Sequence, residues 1–152
     1  MSEQFGPREG FPYRTNVQIW LSGHISKGGA GFVGNDRRIR QLELPSILFA
    51  LLVVLIRKSK ADEAADLEPW MPRGFLTKDQ IHREMIQLGV ECDCDYLPKY
   101  IYRAREIFDA VLGAGWGSRV LEYRKPFGYR LSTPAANLFL VNLDRDGEQP
   151  AN

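Results

Sequence analysis

The chain has 152 residues, of which 44% are hydrophobic and 26% charged, the proportions of an ordinary globular domain. This composition excludes collagen-like, disulfide-framework and intrinsically disordered chains, and the length predicts one compact domain. The formal net charge is only +1, so the whole-molecule field favours neither nucleic acid nor membranes, and any electrostatic attraction must be local.

The two ends of the chain are predicted to be disordered. Residues 1–14 and 144–152 are polar and contain Gly and Pro, whereas residues 15–143 carry the hydrophobic runs that a folded domain needs. Residues 1–10 contain no apolar signal segment, and the most apolar run, residues 47–56, is shorter than the about 20 residues that span a bilayer. A cytoplasmic protein is the simplest interpretation.

The first predicted elements are three short strands. Residues 16–26 alternate roughly between apolar and polar side chains, which is typical of a strand. The glycine-rich run 27–31 is predicted to break the chain. Residues 32–33 and 37–44 then form two further predicted strands around the turn signal Gly34-Asn35-Asp36. The sequence therefore predicts a small antiparallel sheet.

A buried helix is predicted after the sheet. Pro45 suits a first helical position, and residues 46–59 are apolar nearly all round. Arg57 and Lys58 would complement the dipole at the C-terminal end of this helix. The acidic stretch that follows, up to Pro69, is predicted to be a surface loop.

The second predicted helix begins with a capping-box pattern. Thr77 is followed three residues later by Gln80, so we expect a helix from near Lys78 to Gly89. Residues 90–95, in the sequence VECDCD, then form an acidic loop.

A third helix is predicted to be amphipathic. Asp95 can cap it, Pro98 falls in its first turn, and it runs to Gly113. At 100° per residue, one narrow stripe faces the core and comprises Leu97, Ile101, Ala104, Phe108 and Val111. The opposite surface carries Tyr96, Lys99, Tyr100, Tyr102, Arg103 and Glu106.

The last predicted elements are a hairpin and one edge strand. The glycine-rich sequence 113–117 separates the third helix from residues 120–132, where an apolar run is interrupted by a basic tip, Arg124-Lys125-Pro126. Residues 137–141 are predicted to add an edge strand. Between Lys99 and Arg130 basic residues exceed acidic ones by four, which gives this region a local positive charge.

This order of elements resembles a winged helix-turn-helix domain. The sequence YIYRAREIF, residues 100–108, resembles the recognition helix of OmpR/PhoB-type response-regulator effector domains, and VLEYRKPFGYRL, residues 120–131, resembles their closing hairpin. LELPSILFALLVVL, residues 42–55, is similar to their leucine-rich first helix. The resemblance implies an α+β fold with an N-terminal antiparallel sheet, a three-helix core and a C-terminal β-hairpin wing, without a receiver domain.

The resemblance also implies a function in transcription regulation. The third helix, about residues 96–112, would enter the major groove of double-stranded DNA, and the wing, about residues 119–132, would reach the backbone or minor groove. Basic side chains there would form charge-assisted contacts with phosphates, and Arg103 is the preferred candidate for reading a guanine. The predicted DNA-binding residues are Lys99, Tyr100, Tyr102, Arg103, Arg105, Tyr123, Arg124 and Lys125. Arg130 has an alternative role, which is to hold the wing to the body.

Further partners follow from the same resemblance. The 90–95 loop occupies the position through which the related family contacts RNA polymerase, and its carboxylates would repel DNA, so a protein partner is expected there. One such domain covers only a short site, so binding as a homodimer or as tandem copies is also expected.

One rival function remains open, a winged-helix protein–protein interaction module or adaptor with little DNA affinity. The near-zero net charge, Glu106 inside the helix motif and the acidic loops favour it. Pro126 also departs from the related family, which usually has a glycine at this position of the wing. The loop at about residues 59–76 is also longer than the corresponding loop of the related family.

Other kinds of site have less support. Gly29, Gly31 and Gly34 match a dinucleotide-binding pattern, yet no helix is predicted to begin within it, so a glycine-rich turn is preferred. Cys92 and Cys94 are separated by a single residue, a spacing that is too short for an easy disulfide and unlike that of paired zinc ligands. Two free thiols are therefore expected, which suits a reducing compartment. We therefore predict no cofactor, no metal and no enzymatic activity.

Overall fold

The protein is an α+β structure with a mixed sheet, four helices and a C-terminal hairpin in the part described, residues 11–35 and 38–144 of a computed structural model. In chain order the elements are β1 Gln18–His24, β2 Gly28–Asn35, β3 Arg38–Leu44, α1 Ser46–Ala64, α2 Lys78–Gln87, α3 Leu97–Leu112, α4 Trp116–Val120, β4 Leu121–Arg124, β5 Gly128–Leu131 and β6 Leu138–Asp144. Short 3-10 turns precede α3 at Cys94–Tyr96 and β6 at Ala135–Asn137.

The main sheet has the strand order β3-β2-β1-β6. The pairs β1–β2 and β2–β3 are antiparallel, whereas β6 runs parallel to β1. The predicted antiparallel pairing of the first three strands and the predicted edge strand are confirmed, and the parallel direction of β6 makes the whole sheet mixed. A parallel neighbour needs a long crossover, and here all the helices and the hairpin lie between β1 and β6.

The glycine run that was predicted to break the chain is instead the first half of β2. Gly29 pairs with Gly23 of β1 and with Leu44 of β3. A Cβ atom built on Gly29 would lie 2.7 Å from the ring of Phe49 in α1. Glycine is therefore required here because the backbone approaches α1 closely, and the predicted glycine-rich turn is corrected to a strand.

The central helix α1 fills the core and is longer than predicted. Its residues from Leu48 to Ile56 are all buried. The helix continues through the acidic residues to Ala64, because the carboxylate of Asp62 is buried and accepts a hydrogen bond from the Gly74 amide at 2.8 Å. Arg57 and Lys58 consequently lie away from the last turn and do not meet the C-terminal dipole as predicted.

The predicted start of α2 is confirmed. The Gln80 amide donates to the Thr77 hydroxyl at 3.2 Å, and the Thr77 amide donates to the Gln80 side chain at 2.9 Å, which completes the capping box. The helix ends at Gln87, and Gly89 follows with φ of 83°, a left-handed conformation that suits glycine after a helix.

The start of α3 differs in one detail from the prediction. Asp95 does not cap the helix, because it lies inside the 3-10 turn that leads into α3. Asp93 accepts the Asp95 amide at 2.9 Å and caps that turn instead. Pro98 lies in the first turn of α3 as expected, and the helix ends just before Gly113.

Two segments outside the main elements also differ from expectation. The glycine-rich sequence before the hairpin contains the short helix α4. Residues 11–14 fall in the segment predicted to be disordered, yet they pack against the hairpin, and the Arg14 amide donates to the Ser132 hydroxyl at 2.8 Å. The remainder of the two predicted disordered ends, residues 1–10 and 145–152, lies outside the described residues. None of the helices described is both long and apolar enough to cross a membrane.

Candidate nucleic-acid interface

The outer face of α3 is the first part of the candidate site. Four of the five residues predicted to face the core, Leu97, Ile101, Ala104 and Phe108, are buried, and Val111 is half-buried. Because a helix repeats every 3.6 residues, the opposite side projects into solvent. It presents Lys99, Tyr102, Arg103 and Glu106, and the side chain of Tyr102 is 62% exposed.

Two of the predicted contact residues on α3 are turned toward the protein. Tyr100 is half-buried and packs against the hydrophobic core. Arg105 is half-buried, and its Nε donates to the carbonyl of Leu121 at 3.0 Å. Burial lowers the pKa of the Arg105 guanidinium, and the nearby Tyr129 opposes this, but an arginine stays protonated throughout the physiological range. Arg105 therefore joins α3 to the first residue of the hairpin.

The hairpin β4–β5 is the second part of the site. Tyr123 pairs with Tyr129 across the two strands, with ring centroids 4.9 Å apart, and Tyr123 is 53% exposed. Lys125 is exposed at the tip. The guanidinium of Arg124 is less available to a ligand than the Lys125 ammonium. Its Nη2 lies 3.3 Å from a carboxylate oxygen of Glu122, and its Cζ lies 5.2 Å from the ring centre of Phe11.

A buried ion pair anchors the hairpin. Arg130 and Glu122 are each 1% exposed, and Arg130 Nε donates to Glu122 Oε1 at 2.8 Å. Burial alone would raise the pKa of Glu122, but the hydrogen bonds and charge of Arg130, with hydrogen bonds from Ser132 and Arg124, hold it below its usual value. The carboxylate is therefore ionised at neutral pH.

Arg130 also fixes the segments around the hairpin. Its guanidinium donates to the carbonyls of Phe11 at 2.9 Å, Pro12 at 3.1 Å and Arg73 at 3.2 Å. It lies 4.5 Å from the ring centres of both Tyr13 and Phe75. The alternative interpretation of Arg130, that it holds the hairpin to the body, is confirmed.

The hairpin is also bonded to the segment that leads into α2. The Leu76 amide donates to the Tyr129 carbonyl at 2.9 Å, and the Tyr129 amide donates to the Leu76 carbonyl at 2.8 Å. Burial raises the pKa of the Tyr129 hydroxyl, Arg105 and Lys78 oppose this with their positive charges, and Tyr123 adds to it. The start of α2, the middle of α3 and the hairpin therefore meet at Tyr129.

Sequence reasoning missed three residues at this junction. Tyr129 and Lys78 could have been found, because Tyr129 belongs to the Gly-Tyr-Arg motif and Lys78 is the first residue after a recognisable cap. Nothing in the sequence indicated that Phe11 belongs to this junction, because it lies in a polar stretch that contains Gly and Pro. Its ring packs 4.9 Å from Phe127 and 5.7 Å from Phe75.

The acidic loop between α2 and α3 is held by contacts with side chains of α2. The His82 Nε2 atom lies 2.9 Å from the carbonyl of Cys92, and the Cys94 thiol donates to Asp79 at 3.3 Å. Burial, followed by the charge of Asp93, raises the pKa of the Cys92 thiol. Within the described ranges, no group of three or more His, Cys, Asp or Glu residues could hold a metal ion. The exposed side chains of this loop are acidic.

Comparisons of the chain with protein-family models, with curated proteins and with solved structures found no match. The geometry of α3 and the hairpin is therefore the basis on which a function is assigned.

Proposed function

We propose that the chain is a winged helix-turn-helix domain of the OmpR/PhoB type that binds double-stranded DNA and regulates transcription. In this proposal α2 and α3 form the helix-turn-helix, α3 enters the major groove, and the β4–β5 hairpin is the wing. The observation that carries the proposal is that α3 and the β4–β5 hairpin, which both expose basic side chains, are held in a fixed position relative to each other. The bond from Arg105 to Leu121 holds α3 beside the hairpin, and the paired bonds between Leu76 and Tyr129 join the hairpin to the segment that leads into α2.

The exposed side chains take different roles in the proposed complex. Arg103, at the centre of the outer face of α3, is positioned to reach a base edge, where a bidentate contact with guanine is worth about 1–3 kcal/mol of discrimination. Lys99 and Tyr102 contact phosphates on either side. Tyr123 and Lys125 contact the backbone from the wing, with Arg124 beside them. Tyr100 and Arg105 act by positioning α3, because both face the protein.

The proposed partners include a protein as well as DNA. The 90–95 loop lies between α2 and α3, and all three of its acidic residues, Glu91, Asp93 and Asp95, are exposed. Phosphates repel carboxylates, so this loop suits RNA polymerase or another protein while α3 is on DNA.

A second candidate function, a protein-interaction module with little DNA affinity, is favoured by two observations. Glu106 shares the outer face of α3, and two of the predicted DNA-binding arginines are already engaged, Arg105 with Leu121 and Arg124 with Glu122. The exposed cations that remain in the predicted set are Lys99, Arg103 and Lys125.

The deciding experiment measures binding to duplex DNA by fluorescence anisotropy over a range of salt concentrations. On random-sequence duplex we expect binding that weakens as salt rises. Once a preferred sequence has been selected, Arg103→Ala should reduce the preference for it over random duplex by roughly tenfold. Lys125→Ala should instead weaken binding to both duplexes equally and lower the salt slope by about one.

Two matched variants serve as controls. Arg40→Ala removes an exposed arginine from β3, and Lys27→Ala removes an exposed lysine from the turn between β1 and β2. Neither should change affinity or sequence preference. Binding at low salt no stronger than that of an acidic control protein would disprove the DNA-binding proposal and favour the interaction module. Equal effects of Arg103→Ala on all sequences would refute its role as the base reader.

A further inference from the structure

Residues 11–15, which we name the N-terminal strap, lie along the β4–β5 hairpin. At the base of the hairpin, the Thr15 amide donates to the Ser132 carbonyl at 3.1 Å, and the Thr15 hydroxyl donates to the same carbonyl at 2.8 Å. Near the tip, the ring of Phe11 packs with its centre 4.9 Å from that of Phe127. The strap therefore contacts both ends of the hairpin.

The strap covers only one face of the hairpin. Tyr123 pairs with Tyr129, and Glu122 pairs with Arg130, so the alternation of side chains along a strand puts these two pairs on opposite faces. The Arg130 guanidinium donates to two carbonyls of the strap at 2.9 and 3.1 Å, which places the strap on the face of the ion pair. The face that carries Tyr123, which is 53% exposed, stays open to a ligand.

The strap also completes the environment of the buried ion pair. Arg130 is 1% exposed, and a buried guanidinium is costly unless its N–H groups find acceptors. The carbonyls of Phe11 and Pro12 are two of these acceptors, and the ring centre of Tyr13 lies 4.5 Å from the guanidinium. The anchoring of the hairpin through Arg130 therefore depends on the strap.

Phe11 is the residue of the strap that reaches the tip of the hairpin. Its ring contacts Phe127, and the guanidinium of Arg124 lies 5.2 Å from its centre. The Phe127 amide donates to the Arg124 carbonyl at 2.8 Å, which closes the turn at the tip. Lys125 lies between these two residues in the chain, so Phe11 contacts the residues that bound its position on both sides.

We propose that the N-terminal strap fixes the orientation of the hairpin, and that Phe11 is the positioning residue through which Lys125 is held for DNA. Phe11 acts through Arg124 and Phe127 and needs no contact with DNA itself. The role toward DNA rests on the proposed function, whereas the hold on the hairpin does not.

The hold on the hairpin is tested by hydrogen–deuterium exchange of the full chain without DNA. Phe11→Ala removes the ring that contacts Phe127 and Arg124, so the amides of residues 121–131 should exchange roughly tenfold faster. The amides of α3 should keep their wild-type rates. Phe11→Tyr keeps the ring and should keep the slow exchange of the hairpin.

The positioning role is tested by the salt dependence of binding to duplex DNA. Once the tip is released, Lys125 should no longer neutralise a phosphate, so Phe11→Ala should lower the salt slope by about one although it removes no charge. Adding Lys125→Ala to Phe11→Ala should then weaken binding no further, because both changes remove the same contact. A purely structural role of Phe11 would leave the two effects additive.

The matched control is Phe139→Ala, which removes a half-buried ring from β6 of the main sheet. This ring also contacts an aromatic ring, that of Trp20 at 5.4 Å, and a cation, Lys60 at 5.5 Å. Its removal should change neither the exchange of the hairpin nor the salt slope. Circular dichroism checks that each variant is folded.

The outcomes separate this inference from the proposed function. Hairpin exchange that is as slow in Phe11→Ala as in the wild type overturns the inference, and so does faster exchange combined with additive effects on DNA binding. The expected exchange pattern in a chain whose wild type binds no duplex DNA would disprove the proposed function alone and support the hold of the strap on the hairpin.

Discussion

At the scale of single residues, Arg130 organises the candidate site without being exposed to a ligand. It pairs with Glu122, donates to three backbone carbonyls, and lies between the rings of Tyr13 and Phe75. A guanidinium suits this position, because its five N–H groups point in fixed directions and its planar faces pack on aromatic rings. A lysine has no planar group, so it could neither donate hydrogen bonds in the same fixed directions nor pack a flat face against the two rings.

The pair makes a prediction about stability and pH. Glu122→Gln leaves Arg130 buried without its counter-charge, so at neutral pH we expect the free energy of unfolding to fall by about 3 kcal/mol. The folded-state pKa of Glu122 lies below its usual value of about 4.3. Its contribution is therefore fully present above that value and is lost as pH falls through the folded-state pKa. Urea denaturation at a series of pH values checks whether the difference between wild type and variant closes in acid.

The matched control is Glu63→Gln, an exposed carboxylate on α1. It should change the free energy of unfolding by no more than about 0.5 kcal/mol at any pH. A Glu122→Gln variant as stable as the wild type at neutral pH would mean that the buried pair contributes nothing to stability.

At the scale of elements, local patterns in the sequence predicted local structure well. The capping box at Thr77 and the buried stripe of α3 depend on spacings of three and four residues, which can be read directly along the chain. The outward positions of Tyr102 and Arg103 followed from the same periodicity.

Features set by distant contacts could not be predicted in this way. Gly29 lies in a strand because it pairs with Gly23 and Leu44, and the Asp62 carboxylate in the last turns of α1 accepts the Gly74 amide of the following loop. Arg105 was expected to face DNA, but the carbonyl of Leu121, sixteen residues later, binds it. None of these partners is visible in the local pattern.

The hairpin makes an element-scale prediction at Gly128. This residue has φ of 104°, and a Cβ atom there would overlap the backbone of Leu76 and Thr77. Gly128→Ala should therefore combine backbone strain with loss of the bonds between Leu76 and Tyr129, and lower the free energy of unfolding by more than 2 kcal/mol. Thermal and urea denaturation measure the loss.

Gly89→Ala is the matched control for this prediction. Gly89 also has a positive φ, 83°, but nothing lies within 4 Å of a Cβ built on it. Only the conformational cost of about 1–2 kcal/mol is expected there. If the two variants lost the same stability, the close contact between the hairpin and Leu76 would not matter.

At the scale of the whole molecule, the charge distribution limits how the chain can bind a polyanion. The net charge is +1, so attraction depends on the arrangement of a few cations and not on the total. Those on α3 and the hairpin tip project from one rigid unit, whereas the carboxylates of Asp66 and Glu68 lie on the loop between α1 and α2. The proposed DNA-binding surface therefore differs in charge from the loop between α1 and α2.

This distribution predicts the salt dependence of DNA binding. Each phosphate neutralised on duplex DNA contributes about −0.9 to the slope of log K against log salt concentration. The three exposed cations Lys99, Arg103 and Lys125 predict a slope of about −3 for each bound chain and about −5 for a bound pair. Anisotropy titrations at four or more salt concentrations give the slope. A slope near zero would mean that no phosphate is contacted, and a value much steeper than −5 would require cations beyond α3 and the hairpin, because these elements offer too few to release that many counterions.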